Sequence, residues 1–287
     1  MYDIPLNIRE AINTYRPVDT EGLRLYPITV REYELLQNAR PAIDFLQRSL
    51  PVRYLSVPLL SAYYAMDVES FENDEPSNGL FPRALLFLVL ALRYRPEDPV
   101  EERIRSFASK ILVSSEDHTV LKGIAFEIDG EEYKITPVQF QRLRPILAAQ
   151  NGIELESDDA NPELVEAERD IAEMSGPELD HNIHSLISSV ATFGGVDESE
   201  IYDWPVLKLY RRKESYERAL YFLVYGFASA NGAQFKGGNP VPSPFYKRVD
   251  TESSSLIDMS SFTGGRQVTV SEGGAPPDLT PIPTNSQ

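Results

Sequence analysis

The chain has 287 residues, with 44 acidic against 27 basic side chains, a formal net charge of -17 and no cysteine. That length buries a sizeable core without covalent staples, and the missing cysteine excludes disulfides, thiolate metal sites and a cysteine nucleophile. The acidic balance argues against a broad nucleic-acid footprint, which needs clustered Lys and Arg.

The opening "MYDIPLNIRE" has charges where an export signal needs an apolar run, so none is read there. "LYPITVREYELL" (25–36) then begins a helix: Thr29 is the cap, Glu32 the reciprocal third position, and Ile28 and Tyr33 occupy the two staple positions. The same arrangement returns at "EYKITPVQFQRL" (132–143), with Thr136, Gln139, Ile135 and Phe140, and with Pro137 at the first helical position. Helix punctuation accounts for the echo, and two short matches are too few to argue duplication.

"ALLFLVLAL" (84–92) is apolar throughout but far short of the roughly 20 residues a membrane span needs, so it reads as buried helix. Asp98-Pro99-Val100-Glu101 opens a helix in which Val100, Ile104, Phe107, Ile111 and Leu112 keep helical spacing. "LKGIAFEIDGEEYKIT" (121–136) breaks the pattern with two alternating runs around Asp129-Gly130, a favoured hairpin turn. A lone hairpin is marginal, so it needs helices or a further strand; Leu23–Leu25 is one candidate partner.

Beyond the helix started by Thr136, Asn161-Pro162-Glu163 starts another, carrying Leu164, Ala167, Ile171 and Met174 and closed by Gly176-Pro177. The next places Leu179, Ile183, Leu186, Ile187 and Val190 on one face before Gly194-Gly195. A last long helix covers roughly 205 to 230. Residues 231–250 read as loop, with Phe235, Phe245 and Tyr246 available to dock on the core. Of the 37 residues 251–287, 20 are Ser, Thr, Pro or Gly, which predicts a disordered tail.

The resulting fold class is α-rich: mainly α, or α+β with a small hairpin, as a compact helical body with a disordered C-terminal tail. Residues 1–120 form an N-terminal helical part, 121–250 a hairpin and helices packed on it in one continuous unit, and 251–287 the tail.

Three clusters invite a chemical reading. His181 and His184, at i and i+3 beside Asp180, could ligate a metal. They lack the i, i+4 spacing and intervening glutamate of a metalloprotease helix, and a solvated helix face explains them as well. Nine carboxylates between Glu154 and Glu173 lack the Asp/Asn alternation and turn glycine of a calcium loop; first-turn dipole preference and a solvated face account for them. "KLYRRKESYER" (208–218) is the one basic cluster, suited to a nucleic-acid contact or to pairing with acidic surface on this chain or a partner. There is no phosphate-binding glycine loop and no nucleophile–base spacing. Trp204 before Pro205 reads as a packing anchor at a helix start.

The succession "YKITPVQFQRLRPILAAQN" (133–151), the acidic "NPEL" (161–164) and "IYDWPVLKLYRRKESYERALYFLVYGFASANG" (201–232) resembles the tail assembly chaperones of phages and prophages of Gram-positive bacteria. "YPITVREYELL" is similar to the short entry segment of that group. The resemblance, which spans roughly 120 to 250, implies a non-enzymatic assembly factor of the host cytoplasm. Such a factor binds the tape measure protein while tail tube subunits gather, and is often made in two forms by ribosomal frameshifting. It implies no catalytic residue, cofactor or metal, no nucleic acid and no membrane, with self-association open. Apolar stripes in surplus of the core then become candidate client contacts: Leu85, Leu88 and Leu92 on one helix, Leu220, Leu223 and Phe227 on another. A structural virion subunit of tail or baseplate is the alternative, and a metal-dependent enzyme through His181 and His184 a third reading.

Overall fold

A computed structural model of the chain describes residues 4–155, 182–232, 235 and 239–246. The helix expected over 161–176 and the tail at 251–287 lie outside them. The chain divides into a body up to Tyr221 and a second unit from Phe222 onward. The described residues are mixed α+β, mostly helical, with two small sheets.

The body opens with α1 (Leu6–Asn13) and a hairpin of β1 (Val18–Thr20) and β2 (Leu23–Leu25). Glu21 and Gly22 form its turn, both at positive φ (51° and 75°). This hairpin was not anticipated. It takes Leu23–Leu25 as partner of Val18–Thr20, so that segment does not extend the later hairpin.

Next come α2 (Tyr33–Ala39), α3 (Pro41–Asp44) and α4 (Leu59–Glu72), which surround α5 (Leu80–Ala91) together with α6 (Val100–Ala108). Only a helix that is apolar on every side belongs at such a centre, and α5 is buried from Ala84 through Ala91. It starts where the Asn78 side chain accepts the Leu80 amide at 2.9 Å. It stops at Arg93, left-handed at φ 50°, whose amide and that of Tyr94 return to the carbonyls of Leu90 and Val89. Arg103, itself buried, donates to the carbonyls of Tyr94 (2.8 Å) and Val89 (3.2 Å), closing that helix end.

Helix α6 ends at Ala108, short of the expected Leu112, and no side chain caps its start at Asp98-Pro99. Residues Ile111–Val113 form β3 instead, the third strand of a sheet ordered β3-β4-β5 with β4 (Leu121–Ile128) and β5 (Glu131–Ile135). Ile111 pairs with Ile124 there, satisfying backbone that the lone hairpin would leave open. Asp129 and Gly130 both take positive φ (54° and 82°), as a tight hairpin turn requires.

Helix α7 (Pro137–Gln150) carries the complete capping box: the Gln139 amide donates to Thr136 Oγ1 at 3.2 Å, and the Gln139 side chain accepts from the Thr136 amide at 2.9 Å. Thr29 behaves differently. Its side chain caps no backbone amide, and a short 3₁₀ turn precedes α2. The strand-like segment around it is zipped to the start of the last helix: Val30 N–H to Trp204 O (2.9 Å), Arg31 N–H to Tyr202 O (3.0 Å) and Val206 N–H to Ile28 O (3.0 Å). Long-range pairing claims that backbone, so only one of the two matching motifs works as a cap.

One core runs from Ile8 to Leu209, so the expected 1–120 and 121–250 parts share an interior within the body. Buried Arg144 on α7 donates to the carbonyls of Ile43 and Phe45, both at 2.6 Å. The second unit, taken by itself, is helical to Ala230. Tyr225 and Phe235 meet edge to face at 5.3 Å, and the side chains of Phe245 and Tyr246 are exposed.

Candidate partner-binding surface

Two helices build the candidate surface of the body. The first, α8 (Ile183–Gly194), is capped by Asn182, whose side chain accepts the His184 amide at 2.9 Å, and ends at Gly195 in the left-handed region (φ 61°). Ile183, Ile187 and Val190 turn into the core, as the sequence stripe predicts, and Leu186 is half-buried. After the short α9 (Glu198–Ile201) comes α10 (Val206–Ala230), seated by buried Trp204.

Several groups of the basic cluster are committed within the body. The Lys208 ammonium lies 3.8 Å from the Trp204 ring centroid, and burial lowers its pKa. Arg211 donates to Asn13 Oδ1 at 2.8 Å and sits over the Tyr15 ring. Tyr210 donates to the Tyr33 hydroxyl at 3.2 Å, and burial pushes its own pKa well up. Lys213 pairs with Glu217 at 3.4 Å.

Along α10 one apolar face changes its surroundings. Leu209 is fully buried, Tyr216 is partly covered and Leu220 is 43% exposed. Between α8 and this face lies a groove of about 230 Å³ lined by Leu186, Val190, Phe193, Tyr216 and Leu220, with Lys213 and Glu217 completing the wall. Phe193, 58% exposed, stands 6.1 Å from the Tyr216 ring. Gly194 makes this approach feasible, because a Cβ there would lie 2.5 Å from the Tyr216 hydroxyl oxygen. Tyr216 stands out in the sequence only as an aromatic within the basic cluster, and Phe193 not at all, although Leu186, Val190 and Phe193 fall at i, i+4 and i+7.

The candidate client contacts divide. Leu85, Leu88 and Leu92 are all buried, so they are core residues and offer a partner nothing. The correction has a simple cause: neighbours pack around α5 on all sides and leave no surplus face. Leu220 is on the groove. In the second unit, Leu223 and Phe227 are 65% and 74% exposed.

The two described histidines make separate contacts. His184 Nδ1 is 3.1 Å from the Tyr202 hydroxyl, His118 Nε2 is 2.9 Å from Glu72, and His181 lies outside the described residues. Among the described residues no group of three His, Cys, Asp or Glu side chains could hold a cation. A second cleft of about 300 Å³ lies between Arg93–Glu97 and the Glu127–Gly130 turn, with charges of both signs on its walls. No described helix is long and apolar enough to cross a membrane.

No protein-family model, characterised protein or solved structure matches the chain.

Proposed function

We propose that the protein is a phage tail assembly chaperone, a non-enzymatic factor of the host cytoplasm that holds amphipathic segments of the tape measure protein until tail tube subunits assemble around it. The observation that carries this reading is the uncovered apolar face of α10 with Phe193 beside it, since exposed apolar side chains contiguous with a core are a usual mark of a partner site. One of the segments that resemble those chaperones, 201–232, contains this helix. Groove binding of an amphipathic helix needs apolar anchors at helical spacing and no catalytic groups. The acidic remainder of the surface would keep such a protein soluble.

Co-expression with a phage tape measure gene tests this. The long protein should become soluble and co-purify with this chain, and the chain should be missing from finished particles. Stoichiometric recovery of the chain from purified virions would select the structural-subunit reading instead.

A further inference from the structure

Asparagine followed by glycine is chemically labile, because the glycine nitrogen, with no side chain beside it, can close on the asparagine side-chain carbonyl. The chain holds three such pairs, at Asn78, Asn151 and Asn231. Asn151 is 1% exposed, and both ends of its amide are held, by Ile28 and Leu147. Asn231 is exposed, and the Gly232 N–H donates to the Ser229 carbonyl at 3.0 Å, an acceptor that cannot pass a proton on. Asn78, also exposed, lies in the turn that leads into α5 and is set differently. Gly79, left-handed at φ 67°, donates its N–H to the Ser77 hydroxyl at 2.9 Å, and that hydroxyl donates to Asp67 on α4. The Leu80 amide donates to Asn78 Oδ1 at 2.9 Å, where negative charge gathers when Cγ is attacked. Burial raises the Asp67 carboxyl above its ordinary range, more than the Ser77 hydrogen bond lowers it, which makes it a better proton acceptor.

We propose that Asn78 is a site of self-promoted deamidation, in which Ser77 and Asp67 take the proton of the Gly79 nitrogen as it attacks Asn78 Cγ. The N–Cγ bond forms while the Gly79 proton passes to Ser77 Oγ and the Ser77 proton to Asp67, and the Leu80 N–H holds the oxyanion. Collapse breaks the Cγ–Nδ2 bond, and that nitrogen takes one proton back and leaves as ammonia. Water then opens the cyclic imide at either of its carbonyls, giving Asp or isoAsp. The net exchange is water in and ammonia out, with no redox change. The Asp form keeps an acceptor for the Leu80 amide and adds a negative charge near the start of α5, where the helix dipole favours it. The isoAsp form inserts a methylene into the main chain at the entry to the central, buried helix. None of this depends on the client-binding reading.

The purified full chain is incubated at physiological temperature and neutral pH, and peptide mapping by mass spectrometry follows Asn, Asp and isoAsp at all three pairs. Asn78 should convert about tenfold faster than Asn231, a modest share of what a positioned base supplies, and Asn151 should stay intact. Ser77→Ala and Asp67→Asn should each slow Asn78 by about tenfold and leave Asn231 unchanged in the same molecules. A merely structural role predicts the opposite sign, since a loosened turn frees the Asn78 backbone to react. In urea the advantage of Asn78 and the effects of both variants should vanish. Conversion of Asn78 no faster than that of Asn231 overturns the proposal, as does a rate that either variant leaves unchanged or raises.

Discussion

The side-chain oxygen of Asn151 accepts the amide of Ile28 at 2.9 Å, across 123 residues and inside the core. Asn151 Nδ2 donates to the Leu147 carbonyl at 2.8 Å, so one buried side chain joins the end of α7 to the segment that pairs with the start of α10. Asn151→Ala should cost about 1–3 kcal/mol, because it strands the Ile28 N–H in a water-free interior. Urea unfolding reads this directly, and a variant with an unchanged midpoint would show that the bond contributes nothing.

The two Ile-Thr motifs should respond unequally. Thr136→Ala removes a working cap and should lower stability by about 1 kcal/mol. Thr29→Ala removes no backbone cap and should stay within about 0.5 kcal/mol of wild type. Equal losses at the two sites would contradict this assignment.

Gly194 and Tyr216 should be coupled. An alanine methyl at 194 collides with the Tyr216 hydroxyl oxygen at 2.5 Å, but lies 3.5 Å from the ring carbon that bears it. Gly194→Ala should therefore destabilise by about 1 kcal/mol through overpacking. In a Tyr216→Phe background the penalty should largely vanish. A double-mutant cycle with no interaction energy would refute the clash.

Glu72 holds the His118 imidazole above its ordinary pKa, chiefly by accepting its hydrogen bond and then by its charge. Raised folded-state affinity for a proton means the pair stabilises the fold below the ordinary histidine value of about 6.5. That contribution is lost as pH climbs through the folded midpoint. Both groups are solvent-exposed, so the effect on stability is small. NMR titration should place the His118 midpoint above the ordinary value and return it there in Glu72→Gln.

What could be read locally is what local chemistry controls. Thr136 with Gln139, Asp129-Gly130 and the stripe Ile183–Ile187–Val190 each act through neighbours a few residues away, and each took the expected form. Partner choice is not local. The spacing that carries Val100, Ile104 and Phe107 continues through Ile111 and Leu112, yet those two residues join a strand because β4 offers their backbone a ladder. Thr29 has the letters of a cap but gives its segment to Trp204 and Tyr202, residues more than 170 positions away. Leu88 and Leu220 belong to similar apolar runs; one is enclosed and the other is 43% exposed. Sequence periodicity shows which side chains prefer to leave water. Only the tertiary structure decides whether a neighbour covers them, because burial depends on elements brought together from distant parts of the chain.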